Sequence, residues 1–557
     1  MIIRKKPPKP HPPGTPFRHE NHPRPVSRRD FLAAGYLGAQ GMVIGSAWLG
    51  GLLKSQNARA AGGPGLDADI LPLRANTQCN VPNGGGGLGY ICFDLAGGAN
   101  LVGSEALVGV QGGQANFLSV AGYGKLGVPG NMVPSSSANI SSALGLLWHS
   151  DGAILRGIMS VASATTLANV NGAVIPAMSQ NDTQSNTTNP IYGIYKAGAA
   201  FAGGAMGSVT PLVGTESSTS GGNSQALMYT INPAWQPATI QQPSDAVALA
   251  PPSPGGAPDP LALAELQSAA RISTGTAAYA GAASSGTEFT GVLSNPSGST
   301  PGIELYAPGA QVTQGVNADP ALKNQVRCAY VKAANTANTF YAGSAGLDPT
   351  QDTNITNGIF TAAQLANDND AQMTASVMKL VIDGYAGAGT ISMGGYDYHD
   401  GSRATGETRN FKAGQMIGAV LEYAARSKTP VMVQLMSDGS LSSSSMVDTS
   451  TAGRNKLGWQ GDNSSVAATV FLVYSPNGRP ALRNGAAGQQ IGYFSADGSV
   501  VTSSSPAANS VNQIPELIIL NYLGLLGTDA QFTSLFPMQG LGGAAALGAM
   551  TALQKIV

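Results

Sequence analysis

The stretch Gly394 to Asp400, "GGYDYHD", sets a carboxylate and an imidazole two residues apart, at Asp397 and His399. In a loop that follows a strand, this i, i+2 spacing lets both side chains reach one point. The pair is therefore either a metal-ligating or proton-handling site, or a hydrogen-bonded pair that fixes the turn. Two further carboxylates stand in comparable places, Asp438 in "LMSDGS" and Asp462 in "WQGDNSS". An Asp at a strand end also reads as the cap of the next turn, and Asp-Asn is ordinary turn chemistry. Upstream, "DLAGGANLVGSE" carries Asn100 and Ser104, an amide and a hydroxyl in what also reads as a tight glycine turn. His149, beside Trp148, reads as a structural residue, and Ser442 to Ser445 as a flexible loop.

Several chemistries are excluded. The chain has no Gly-x-Ser-x-Gly elbow with a suitable histidine, no Cys-x-x-Cys, no Walker-type phosphate loop and no haem-attachment motif. Its three cysteines, Cys79, Cys92 and Cys328, allow at most one internal disulfide. Cys79 with Cys92 is the pair closest in sequence; buried or free thiols are the alternative.

The elements that must position these residues read as follows. "GYICFDLAGG", Gly89 to Gly98, is a buried strand delivering a loop at its carboxyl end. From Ser141 to Ser163 the pattern suggests a short helix or loop and then a strand near Ala153 to Ser160, with residues 171 to 190 as polar loop. "NPIYGIYKAGAAFAG" restarts a helical pattern. The segment Pro233 to Pro260 carries eight prolines and interrupts regular structure, and Asp259 is placed to cap a helix running to about Ser273. Beyond it, Gln372 to Tyr385 is an amphipathic helix, "GTISMGG" a strand and "NFKAGQMIGAVLEYAARS" another amphipathic helix. "TPVMVQLMSDGS" and "AATVFLVYS" are further strands. This alternation predicts an α/β fold, a mostly parallel sheet flanked by helices, with ligand-binding residues gathered at the carboxyl ends of the strands.

The amino-terminal region reads as an address. Arg28 and Arg29 precede Asp30, Phe31 and Leu32, and a Gly/Ala-rich apolar run follows to Leu53, which is the twin-arginine export pattern. The run is about long enough to span a bilayer, but it contains six glycines and ends in the small-x-small site Ala58-Arg59-Ala60. The expected organisation is a signal peptide over 1–60, a glycine-rich entry segment over 61–88, and one α/β domain over 89–557 with a Pro-rich insertion around 233–260. Residues 1–60 hold ten of the 29 basic and two of the 30 acidic residues, which leaves 19 against 28, a net charge of −9. An acidic mature chain argues against nucleic-acid binding. The implied partner is the twin-arginine translocation machinery, the implied location periplasmic or secreted, with no stable membrane span after cleavage.

The order of these pieces resembles the domain-of-unknown-function 1501 family, exported proteins of the alkaline-phosphatase and sulfatase superfamily. The residues carrying the resemblance are the twin-arginine leader, "DLAGGAN", "GGYDYHD" in the place of Gly-Trp-Asp-Thr-His, "MSDGSLS" in the place of Ser-Glu-Phe-Gly-Arg, "WQGDNSS" in the place of Asp-His-Gly, and the closing "PELIILNYLGL". The resemblance implies an alkaline-phosphatase-like fold in which Asp397, His399, Asp438 and Asp462 are metal-ligand candidates. Asn100 falls near a position where the family has Asp, and Ser104 is the nearest hydroxyl for a nucleophile.

The departures are equally informative. Of five histidines, His11, His19 and His22 lie in the leader, so the mature chain keeps only His149 and His399. Asn463 stands where the family has His. A zinc site built from several imidazoles is not available, and the oxygen-rich set suits Ca²⁺, Mg²⁺ or Mn²⁺ better. The expectation is a divergent or inactive member in an extracytoplasmic binding, assembly or secretion-related role. The alternative is a metal-dependent hydrolase of phosphate or sulfate esters.

Overall fold

In the computed structural model, β1 (Gly89–Leu95) is buried at every position. Its sequence explains why: Ile91, Phe93 and Leu95 face one hydrophobic layer, Tyr90 and Cys92 the other. A strand covered on both faces reads as a nearly continuous apolar run, the pattern of a parallel sheet between helices. The structure describes residues 87–179, 188–201, 203–205, 207–215, 235–250, 331, 334, 344–437 and 439–557. The leader, the entry segment up to residue 86, Cys79, Cys328, the helix expected after Asp259 and the ligand candidate Asp438 lie outside the described residues.

In chain order β1 is followed by the hairpin β2 (Ile140–Leu144) and β3 (Leu146–His149), helix α1 (Ala153–Val161), β4 (Val170–Pro176) and α2 (Ile191–Ala200). Next come β5 (Thr210–Gly214), β6 (Ala238–Thr239), α3 (Asn369–Ile382), β7 (Ala386–Met393), α4 (Ala404–Ser427) and β8 (Val431–Met436). The hairpin β9 (Leu441–Asp448) and β10 (Lys456–Asp462), then β11 (Ala468–Tyr474) and α5 (Ile514–Leu526) complete the principal elements. Seven strands form one sheet in the order β4-β11-β8-β1-β7-β5-β6. β1 pairs in parallel with β7 and β8, and β5 with β7 and β6. Residues of α1, α3 and α4 pack in one hydrophobic layer, those of α2 and α5 in the other. The expected α/β class, a mostly parallel sheet flanked by helices, is what the structure has.

Three local expectations are corrected, and one strand of the mostly parallel sheet, β11, runs against its neighbours. Ala153–Val161 is a helix, not a strand: its buried Ala153, Ile154, Leu155, Gly157 and Ile158 suit either period, and a short apolar run does not choose between them. What decides is a partner, α4, whose Gly414 meets Gly157 so closely that a Cβ on Gly414 would stand 2.9 Å from the Gly157 Cα. Residues 171 to 176 are not polar loop but part of β4, where Asn171 is buried because its amide reaches the Pro480 carbonyl and Gln489 donates to its oxygen, each at 2.8 Å. β11 runs antiparallel to both β8 and β4. It returns through the β9–β10 hairpin, and a hairpin, unlike a crossover helix, reverses direction. Finally, the Pro-rich segment contributes the edge strand β6 and a helix over Pro243–Ala248. Cys92 is a free thiol buried in β1, so it is not paired with Cys79. Burial, then the nearby Asp94 charge, pushes its pKa up.

Candidate metal centre

β1, β7 and β8 run parallel and in register, so the chain segments that leave their carboxyl ends meet at one edge. The segment after β1 is threaded between the other two. Gly97, at φ 130, lies so close to the β7 loop that a Cβ would stand 2.5 Å from the Asp397 amide nitrogen, which only glycine avoids. On the other side the Ser437 hydroxyl accepts from the backbone N–H groups of Gly98 (3.0 Å) and Ala99 (2.8 Å) and donates to the Leu95 carbonyl (2.6 Å). Ser437 was not singled out by sequence. Its role depends on a strand nearly the whole domain away.

The β7 loop is extended, and its side chains alternate. Tyr396 and Tyr398 are buried, whereas Asp397 and His399 are exposed on the opposite side. His399 Nε2 lies 2.8 Å from Asp397 Oδ1. Asp462, the last residue of β10, joins them, and one ligand atom from each of the three lies within 4.8 Å of the others. The arms are held together by main chain: the Gly401 N–H donates to the Trp459 carbonyl (2.9 Å) and the Trp459 N–H to the Ser402 carbonyl (3.0 Å). Register shifts on both sides of Trp459 mark bulges, which re-aim the residues that follow.

Two oxygen donors and one imidazole nitrogen at this separation can share a cation. Oxygen ligands at about 2.3–2.6 Å around Ca²⁺ stand up to about 5 Å apart across the ion. Mg²⁺, with ligands at about 2.0–2.1 Å, holds its ligand atoms within about 4 Å of one another. Mn²⁺ takes carboxylates readily, and of the three it best tolerates the imidazole. With three protein ligands, coordination positions remain for water or a ligand.

The other candidates lie elsewhere. Asn100 and Ser104 are fully buried in a turn in which the Gly103 N–H donates to the Ala106 carbonyl. The Ser104 hydroxyl donates to Asn100 Oδ1 at 3.4 Å. The Asn100 N–H donates to the Tyr398 hydroxyl at 2.9 Å, which places it on the buried side of the loop that displays Asp397 and His399. His149 is a buried structural residue: its Nδ1 accepts from the Asp151 N–H, so Nε2 donates to the Met132 carbonyl at 3.0 Å. Burial holds its pKa down.

Beneath the loop lies a buried ionic network that sequence reading missed. The Glu407 carboxylate accepts from Arg403 Nε (3.0 Å), Lys456 Nζ (2.8 Å) and Arg156 Nη2. Burial opposes ionisation of Glu407, but Arg403 and Lys456 outweigh it and hold its pKa below the usual range. Glu105, fully buried, accepts from Asn410 (3.0 Å) and the Ile154 N–H (2.9 Å). Burial and then the Glu407 charge push its pKa up. Burial likewise lowers that of Lys456, with Arg403 adding to the effect.

No family model, no curated protein and no solved structure matches the chain. Among the described residues, no helix is long and apolar enough to cross a membrane.

Proposed function

We propose that this chain is an exported α/β protein that binds a divalent cation, Mn²⁺, Ca²⁺ or Mg²⁺, at Asp397, His399 and Asp462. Its role is extracytoplasmic binding or assembly rather than ester hydrolysis by a seryl nucleophile. The observation that carries this reading is the exposed three-ligand cluster at the carboxyl edge of the central strands. The burial of Ser104 supports the second half: its hydroxyl is turned into a tight turn, with no exposed surface to meet an ester. The export leader, the relation to alkaline-phosphatase-like proteins and any contribution from Asp438 or Asn100 remain parts of the proposal that rest on sequence. The test is metal analysis of protein exported by its own leader, followed by assay on aryl phosphates and sulfates with Asp397→Ala as control. Stoichiometric metal without turnover is expected. Mutation-sensitive turnover would replace this reading with a metal-dependent hydrolase whose nucleophile is a bound water, and absence of metal would remove the centre altogether.

A further inference from the structure

The two arms of the centre belong to different elements, and an aromatic wedge sets the distance between them. Asp397 and His399 flank Tyr398, while Asp462 lies three residues after Trp459. Both aromatic side chains are buried, with ring centroids 6.1 Å apart. Tyr398 is fixed at its tip, accepting from the Asn100 N–H (2.9 Å) and donating to Asn410 Oδ1 (3.1 Å). The Trp459 ring carries the Arg403 guanidinium 4.4 Å from its centroid. Both rings rest on Gly406 in the first turns of α4, where a Cβ would stand 2.6 Å from Trp459 Nε1 and 2.9 Å from Tyr398 Cε2.

Resting on the cation-binding reading above, we infer that Tyr398 and Trp459 are positioning residues, which hold the Asp397–His399 arm and the Asp462 arm at a fixed spacing and thereby select the cation by size. Neither side chain is a ligand; each acts through the backbone that carries one. The spacing is stiff because a packed aromatic pair cannot be compressed without strain. Ions whose coordination matches the preset separation bind with little rearrangement, and the others must move the arms.

Gly406→Ala tests this from underneath, since alanine suits a helix and its methyl presses on both rings without touching a ligand. Tyr398→Phe tests it from the tip, keeping the ring and removing the two hydrogen bonds. Mn²⁺ affinity and line shape are read by electron paramagnetic resonance, and Ca²⁺ and Mg²⁺ by competition against Mn²⁺. Unfolding curves run alongside confirm that each variant is folded. Each variant is expected to weaken Mn²⁺ binding roughly tenfold and to change the Ca²⁺ to Mg²⁺ affinity ratio severalfold. A residue that only stabilises the fold would move the unfolding midpoint and leave that ratio alone. Wild-type protein that binds no Mn²⁺ overturns the underlying centre; wild-type binding with unchanged affinity and ratio in both folded variants overturns the positioning role alone.

Discussion

Two groups of charged residues lie close to the same loop, and they differ first of all in burial. Asp397, His399 and Asp462 are exposed and converge on one point. Arg403, Glu407 and Lys456 are at most 3% exposed at their side chains, and both cations are bonded to Glu407. Strand β10 contributes to both sets, with Lys456 at its start and Asp462 at its end. Water makes the difference. A buried charge needs its partner, because stranding it costs several kcal/mol, whereas an exposed carboxylate is solvated whether or not anything binds it. The buried set is therefore structural, and the exposed set is available to a ligand.

The sharpest way to break that distinction is Glu407→Ala. It strands Arg403 in the interior and leaves Lys456 only Asp151, and a loss of about 3–5 kcal/mol is expected in urea unfolding at neutral pH. A loss below about 1 kcal/mol would mean that the network is not structural. Protons remove the same charge reversibly. Because the folded-state pKa of Glu407 is depressed, its contribution is present above the unfolded carboxyl value of about 4.3 and is lost as pH falls through the lower folded value. Glu105, with its pKa raised, works in the opposite sense: its contribution is present at low pH and is lost as pH rises through the folded value. The stability difference between wild type and Glu407→Gln should therefore shrink as pH falls below about 4.3 and through the lower folded value. A difference independent of pH in that range would contradict the depressed pKa.

On the exposed side the expected pattern is reversed. Asp397→Ala should weaken cation binding at least tenfold, about 1.4 kcal/mol, while unfolding stability stays within about 0.5 kcal/mol. Calorimetry and urea titration of the same sample give both numbers, and a large stability loss would place Asp397 among the structural charges. Ser104→Ala is the smallest perturbation. It removes one long hydrogen bond, should cost under about 1 kcal/mol, and should leave cation binding unchanged. If it abolished a measured ester turnover, the hydroxyl would have to reach solvent in some other conformation.

What could be read in advance follows the range of the interactions. Asp397 and His399 were legible because both lie in one loop after one strand, where spacing alone brings side chains together. Asp462 was recognised by position in a motif order; its approach to the pair depends on the Gly401–Trp459–Ser402 ladder, which has no local signature. The buried network was invisible because Glu105, Glu407 and Lys456 come from three distant segments and look individually like surface residues. The helical patterns of α3 and α4 were clear from their apolar periodicity, whereas α5, buried at every position, was marked only by the resemblance. α1 was read as a strand because its apolar run is too short to show a period, and the direction of β11 was not encoded in its own residues at all.

The central place of β1 also bears on how the chain reaches its native state. Tyr90 finds its partner Gln434 at a sequence separation of 344 residues. At a synthesis rate of about 5–20 residues per second, the apolar strand waits on the order of half a minute before β8 has been made. Until β7 has been made both of its edges are open to any other extended segment, and until β8 has been made one of them still is, which is the circumstance that favours aggregation and chaperone capture. A ribosome-bound chain halted before Met436 should consequently be recovered with holdase chaperones, and the release of those chaperones should coincide with completion of β8 rather than with completion of any earlier helix.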